Sequence, residues 1–178
     1  MSSDPIPDNV LDFGDLFEEE FSRVYRYFRI RVGDDEMARD LTSETFLRAF
    51  DNFSSYDNQV APFGAWLFGI ARNLLTDTYR RNARRESQEA IQSSKHSGDM
   101  DSPEVEVLRS ESLGEVEHAM EFLDARERDV IALKFGAALT NKEIAAIYGI
   151  SPANSAVILH RAIKKLRRLL GAEIDENG

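Results

Sequence analysis

Residues 126–170, RERDVIALKFGAALTNKEIAAIYGISPANSAVILHRAIKKLRRLL, decide the fold of this chain. Thr140, followed three positions later by Glu143, forms a capping box, which predicts a short helix carrying Ile144, Ala145 and Ile147 on one face. Gly149 stops that helix. Ser151 can cap the next one, and Pro152 fits its first turn, where a missing N–H costs nothing. Two helices joined by a tight turn at Gly149-Ile150 read as a helix-turn-helix, the spacing at which a second helix enters a DNA major groove while the first braces it. From Ser155 onward, Leu159, Ala162, Ile163, Leu166 and Leu170 form a stripe wide enough to bury, and Arg161, Lys164, Lys165, Arg167 and Arg168 crowd the remaining surface. The plainer alternative is an amphipathic helix with a solvated basic face. The completeness of the turn chemistry favours DNA binding.

The chain has 178 residues, enough for one large or two small domains, and no run approaches the roughly 18 apolar residues of a membrane span. The N-terminus has no basic-then-apolar signal segment, so a soluble, cytoplasmic protein without membrane insertion of its own is expected. With no cysteine, disulfides and thiolate zinc sites are excluded. His96, His118 and His160 have no spacing that suggests a metal or a catalytic base, so neither cofactor nor metal is expected. A net charge of −10 suits a DNA binder only once it is divided along the chain. Residues 1–22 carry −7, 23–85 carry +3, 86–121 carry −8, 122–171 carry +5 and 172–178 carry −3. Local potential decides phosphate contact, and two basic blocks separated by acidic ones make a two-module pattern.

Residues 1–9 read as a polar, disordered tail. From Asp12, a candidate N-cap, Phe17, Phe21, Val24 and Phe28 recur at helical spacing as a buried stripe that stops near Gly33. A second helix from Asp34 or Asp35 carries Leu41, Thr45 and Ala49 on one face, widened by Met37, Phe46, Leu47 and Phe50. Asp40 and Glu44 lie on its outside, a solvated or docking face rather than an acid–base pair, since no pocket or partner accompanies them. A polar loop follows, and at Pro62 a third helix begins, running to Arg85 with Phe63, Leu67, Ile70 and Leu74 buried. Trp66, Asn73 and Asp77 share another side, and Arg72, Arg80, Arg81, Arg84 and Arg85 load its second half. Rings beside guanidinium groups suit single-stranded nucleic acid, although arginines at a helix C-terminus also favour the macrodipole, and a lone tryptophan serves core packing as readily. Residues 86–101 read as a flexible linker. Ser102-Pro103 then starts a helix with Val105, Leu108, Val116 and Met120 inward, and Asp124 with Glu127 caps another whose Val130, Ile131, Leu133 and Phe135 pack under the helix-turn-helix. The expected architecture is all-α: two small helical domains, residues 10–85 and 102–171, joined by an acidic linker and followed by an acidic tail at 172–178.

MARDLTSETFLRAF, followed by a loop and FGAWLFGIARNLLTDTYRR, resembles the second domain of extracytoplasmic-function sigma factors of bacterial RNA polymerase, in the sigma-70 family. EFLDARERDVIALKFGAALTNKEIAAIYGISPANSAVILHRAIKKLR is similar to their fourth domain. The resemblance implies a subunit that does no chemistry itself and directs the polymerase to −35 and −10 promoter elements. It implies that Asp40, Leu41, Glu44 and Phe46 dock on the clamp helices of the largest polymerase subunit, with the flap as a further contact. It also implies that Asn73, with the loop from Phe53 to Ala61 that includes Tyr56, Asp57 and Asn58, captures a base flipped from the melted non-template strand. An amide offers both a donor and an acceptor to an exposed base edge. Trp66, Arg72, Arg80 and Arg81 complete that −10 set. Duplex −35 recognition falls to residues 151–165, within which Ser151, Ala153, Asn154, Ser155 and His160 lie at the reading end. Arg161, Lys164 and Lys165 would hold phosphates.

The departures from the family pattern are Ser43 in place of a frequent glutamine, Gly64 and Gly69 in place of arginines, and Ala156 and Ile158 in place of a lysine and an arginine. Ordinary arginine-to-guanine readout is thereby weakened, and Val157 with Ile158 offers an apolar surface suited to thymine methyl groups. The resemblance further implies an anti-sigma partner. Two other readings stay open from the residues alone: a helix-turn-helix regulator acting without polymerase, and a helical adaptor that binds only protein. An enzyme is not expected, since no nucleophile with a base, metal cluster or glycine-rich phosphate loop is visible.

Overall fold

The computed structural model describes residues 8–92 and 110–171, and every regular element among them is helical. The first module holds α1 (Asp8–Val32), α2 (Asp35–Asn52) and α3 (Phe63–Gln92). A 3-10 turn over Phe53–Ser55 follows α2. The second module holds α4 (Ser110–Glu121), α5 (Ala125–Ile131), α6 (Asn141–Tyr148) and α7 (Pro152–Leu169).

In the first module the aromatic periodicity of α1 places Val24, Tyr27 and Phe28 at zero exposure against Leu67, Phe68 and Leu74 of α3. Gly33, at φ +71°, ends the helix in a left-handed conformation that a side chain would strain. Asp34 then caps α2 by accepting from the Met37 N–H at 2.7 Å. Buried Thr42 and Thr45 return their hydroxyls to the carbonyls of Ala38 and Leu41, both at 2.7 Å, so neither is a buried donor without a partner. Phe17 and Phe21, expected in the core, are 37% and 40% exposed and instead flank Phe46, with Phe17 at 4.6 Å between ring centroids. The buried face of α1 is centred on Val24, Tyr27 and Phe28, and the earlier rings lie at its edge.

In the second module both expected capping boxes form, Asp124 with Glu127 and Thr140 with Glu143. Gly149 takes φ +63°, and the Ser151 oxygen accepts from the Asn154 N–H at 3.2 Å. Leu133, Leu139, Ile144, Leu159 and Ala162 make the core. Between α5 and α6 the chain widens into a π turn over Ala132–Gly136, with the Ala137 N–H reaching the Ala132 carbonyl at 3.0 Å. The wider turn breaks the expected register. Phe135 is 60% exposed rather than packed under the helix-turn-helix.

Other differences are local. α1 starts at Asp8 rather than near Asp12, and α3 continues to Gln92, through residues read as the beginning of a linker. Val116 and Leu170 are exposed instead of facing inward. The expected helix start at Ser102-Pro103, with Val105 and Leu108, the rest of the linker and most of both tails lie outside the described residues. The two modules do not stand apart: α1 packs on the π turn and α3 on α6.

Candidate nucleic-acid and polymerase interfaces

The first candidate surface runs along α3 and the loop before it. The Tyr56 hydroxyl donates to the Ala61 carbonyl at 3.2 Å, and the Asp57 carboxylate accepts from the Gln59 N–H at 2.8 Å, so the loop closes on itself. Phe53, Tyr56, Phe63 and Trp66 form one ring cluster, with Tyr56–Trp66 centroids at 5.1 Å and Phe63–Trp66 at 5.5 Å. Phe53, Tyr56 and Trp66 are all half-buried, so the rings chiefly support the loop and present only an edge to solvent. Asp57 and Asn58 are exposed at its tip. Asn73, two turns beyond Trp66 on α3, is exposed, as are Arg80 and Arg81. The Arg81 guanidinium donates to the Thr78 hydroxyl at 3.2 Å.

Arg72 does not join that surface. Its Nε lies 3.2 Å from the Asp129 carboxylate of α5, and its guanidinium covers the Tyr148 ring of α6 at 4.3 Å. It is a contact between the modules. Asp129 itself, the last residue of the charged run RERD, is 3% exposed. It accepts from the Tyr27 hydroxyl at 2.7 Å and from the Tyr148 hydroxyl, and the Arg31 Nε lies 3.1 Å away. Burial first, and the adjacent carboxylate second, push both phenols well above their ordinary range, so each stays protonated as a donor.

The second candidate surface is α7. Ala153, Asn154, Val157, His160 and Arg161 are exposed, and Asn154, Val157 and Arg161 share one face at helical spacing. Two expected readers are corrected. Ser155 has zero exposure, because it stands one turn before Leu159 on the buried stripe and so cannot reach a base. Ile158 is half-buried against the core, which leaves Val157, 45% exposed, as the apolar residue on the surface. Ser151 is exposed, and its hydroxyl oxygen accepts the capping bond expected of it, which does not occupy its O–H. Lys164 is exposed, and the Lys165 ammonium lies 3.2 Å from the Glu127 carboxylate.

The third candidate surface is α2. Leu41 and Phe46 are 6% and 4% exposed, which removes both from direct contact with a partner, because their helical face is the one turned to the core. Asp40 is exposed, and Glu44 is paired with the Arg48 Nε at 2.8 Å. The apolar atoms facing solvent there belong to Phe17, Phe21, Leu47 and Phe50, which sequence reasoning had assigned to the core. For Leu47 and Phe50, off the Leu41–Thr45–Ala49 face, position was the available signal; Phe17 and Phe21 lie on the α1 stripe and carried none. Among the described residues no cluster of His, Cys, Asp and Glu could hold a metal ion, and no helix is long and apolar enough to cross a membrane.

Comparison with known proteins fits this geometry. Residues 16–85 match the family described as Sigma-70 region 2, and residues 119–168 match Sigma-70, region 4. The chain is 35% identical over 158 residues to the ECF RNA polymerase sigma factor BldN of Streptomyces coelicolor, covering 89% of this chain and 60% of that one. It is 31% identical over 158 residues to the ECF RNA polymerase sigma factor SigL of Mycobacterium tuberculosis, covering 87% and 86% of the two chains. In fold it is similar to the sigma factor RpoE solved with the anti-sigma factor NepR from Bartonella quintana, with a TM-score of 0.71, 23% identity and coverage of 92% and 99%.

Proposed function

The chain belongs to the extracytoplasmic-function sigma factors of the sigma-70 family, the promoter-specificity subunits of bacterial RNA polymerase, and we propose that it divides promoter reading between two faces, α7 and α3. It works in the cytoplasm, where the polymerase is, and is not an enzyme. The observation that carries this reading is the exposure of Asn154, Val157 and Arg161 along one face of the Ser151-capped helix α7, on the same chain as exposed Asn73. Asn154 and His160 supply polar contacts to −35 base edges, Val157 meets a thymine methyl group, and Arg161, Lys164 and Lys165 hold phosphates. Lys165 does so after exchanging its partner Glu127 for phosphate.

At the −10 element the strand is melted, and the groups required differ. Asn73 receives the flipped base, the loop at Asp57 and Asn58 borders it, and the exposed edges of Tyr56 and Trp66 give it an apolar edge-on contact. Arg80 and Arg81 track the backbone. Polymerase docking uses the side of α2 that carries Asp40 and Glu44, together with the exposed apolar group of Phe17, Phe21, Leu47 and Phe50. That patch is also the surface by which an anti-sigma partner would compete with the clamp helices.

Run-off transcription from a genomic fragment library by core polymerase, with and without this chain, tests the reading. Discrete new start sites that depend on the chain are expected. Binding of a palindromic duplex without polymerase would favour a stand-alone regulator, and indifference to DNA even with core enzyme would favour a protein-binding adaptor.

A further inference from the structure

The two modules meet around a cavity of about 450 Å³ whose lining the promoter reading leaves largely unused. Arg31 of α1 and Arg72 and Tyr79 of α3 come from the first module, Arg126 and Asp129 of α5 and Tyr148 of α6 from the second. A close joint at the π turn holds these walls in register. An added Cβ on Gly136 would lie 3.0 Å from the Ile30 Cδ1 and 3.1 Å from both the Arg26 carbonyl and the Tyr27 Cα. The Arg26 Nε donates to the Gly136 carbonyl at 3.0 Å and the Arg23 Nε to that of Ala137 at 2.8 Å. Within the cavity, three guanidinium groups stand against one carboxylate, a local excess of +2 in a chain whose net charge is −10. Asp129 has no capacity left to balance them. Its two oxygens offer about four lone-pair sites, and these already face the Tyr27 and Tyr148 hydroxyls and the Nε atoms of Arg31 and Arg72. Arg126 forms no ion pair among the described residues; its guanidinium lies over the Tyr148 ring at 5.1 Å. Arg31 is a second, independent sign. Its side chain is 8% exposed, and its Nε, although 3.1 Å from Asp129, makes no hydrogen bond. A buried cation left in that state costs free energy that a further anion recovers.

We propose that this cavity is a binding site for a nucleoside monophosphate, with the phosphate on Arg31, Arg72 and Arg126 and the base against Tyr79. A phosphate monoester carries about −1.5 to −2 near neutral pH, which matches the local excess, and its oxygens accept in pairs from guanidinium forks. The space exceeds what a phosphate fills. Small-molecule sites run from about 300 to 1,000 Å³, so this one has room for a sugar and a base as well. An apolar lining for them is in place: Leu75 contributes to the wall, and the Tyr79 ring is 42% exposed. The Tyr79 hydroxyl donates to the Arg31 carbonyl at 2.9 Å, so the ring is already fixed and loses little freedom when a base stacks on it. The lining holds no amide side chain, the group best suited to reading a base edge, so adenine and guanine should be accepted alike. Inorganic phosphate would fill only the guanidinium end, and a nucleoside only the ring end. None of this rests on the promoter reading given above.

Equilibrium dialysis of the full-length chain against radiolabelled AMP, GMP, inorganic phosphate and adenosine tests the assignment. Saturable binding of both nucleotides is expected, at least about tenfold tighter than either half-ligand, because each half-ligand forgoes one end of the site. Arg126 is exposed and unpaired, so Arg126→Gln should fold as the parent does, which far-UV circular dichroism checks. It should weaken AMP by about ten- to a hundredfold, the usual loss for hydrogen bonds to a charged group. Thr76 is an exposed helical residue of the lining, and Thr76→Glu sets a carboxylate among the guanidinium groups in competition with the phosphate, with a loss of similar size. Tyr79→Leu should weaken AMP and leave inorganic phosphate unchanged. Absence of saturable AMP and GMP binding overturns the site, as does binding that neither Arg126→Gln nor Thr76→Glu weakens. Inorganic phosphate held as tightly as AMP overturns the nucleotide and leaves a bare anion cleft. A single-stranded oligonucleotide without a terminal phosphate that displaces AMP, and is itself weakened by both substitutions, gives the cavity to the DNA backbone instead and equally overturns the proposal.

Discussion

Replacing Ser155 by alanine should stabilise the protein and leave promoter binding intact, although its position early in a recognition helix suggests the opposite. Ser155 has zero exposure and its hydroxyl oxygen has no hydrogen-bond partner. A buried polar group left without a partner costs about 1–3 kcal/mol. Removing one oxygen forfeits a few van der Waals contacts worth about 0.1–0.2 kcal/mol each. The balance favours alanine by about 1 kcal/mol, which for a chain of this length raises the thermal midpoint by roughly 2–4 °C. Urea unfolding followed by circular dichroism measures the stability, and holoenzyme binding to duplexes substituted at each −35 position measures the readout. A lower midpoint, or a tenfold loss of −35 affinity, would refute the reasoning, because either result puts the hydroxyl in the groove or on a partner.

Three more expectations follow from the same geometry. Asn73→Ala should cost about 1–3 kcal/mol of open-complex stability with core binding unchanged, so unaltered permanganate reactivity of the melted promoter counts against the amide as base receptor. Glu20 is 5% exposed, and burial outweighs the Arg23 guanidinium to raise its carboxyl above the ordinary 4.5. Its folded-state affinity for a proton exceeds the unfolded one, so its stabilising contribution is complete below 4.5 and fades as pH rises through the folded value. Glu20→Gln should therefore be more stable than the parent at pH 7 and flatten that part of the pH profile, and equal slopes for the two in urea titrations at stepped pH would exclude it. Replacing −35 thymines by uracil should weaken holoenzyme binding by about 0.8 kcal/mol, roughly fourfold, per buried methyl group. Val157→Ala should abolish that difference and Ile158→Ala should not; parity between thymine and uracil in the parent excludes methyl readout.

What the sequence disclosed, and what it hid, follow from range. The capping boxes at Asp124 and Thr140, the left-handed Gly149 and the Ser151 cap involve residues within a few positions of one another, and all are present as expected. Asp129 was opaque because its burial depends on Tyr27 and Arg31, about a hundred residues away, and on Arg72; alone it reads as a surface acid in RERD. Arg72 was misjudged for the same reason. Ser155 and Phe46 are a different kind of error. Each stands within a helical turn of a residue already assigned to the buried stripe, Leu159 for one and Ala49 for the other, and each was given a surface role on residue type or family resemblance. Phe135 could not be placed, since a π turn changes the helical period from within and nothing in ALKFG announces it.

The joint at Gly136 also limits how freely this protein could be recombined. Promoter selectors invite chimeras, in which the helix-turn-helix of one chain is joined to the front half of another so that a new −35 sequence is obeyed. Here the graft would carry more than an address. Gly136 and Asp129 travel with the second module, whereas the residues they fit, Arg26, Tyr27, Arg31 and Arg72, remain with the first. A donor with a larger side chain at the first position or a neutral one at the second would carry over its helix-turn-helix and lose the fit between the two halves, recognisable as a chimera that unfolds at a lower temperature than either parent.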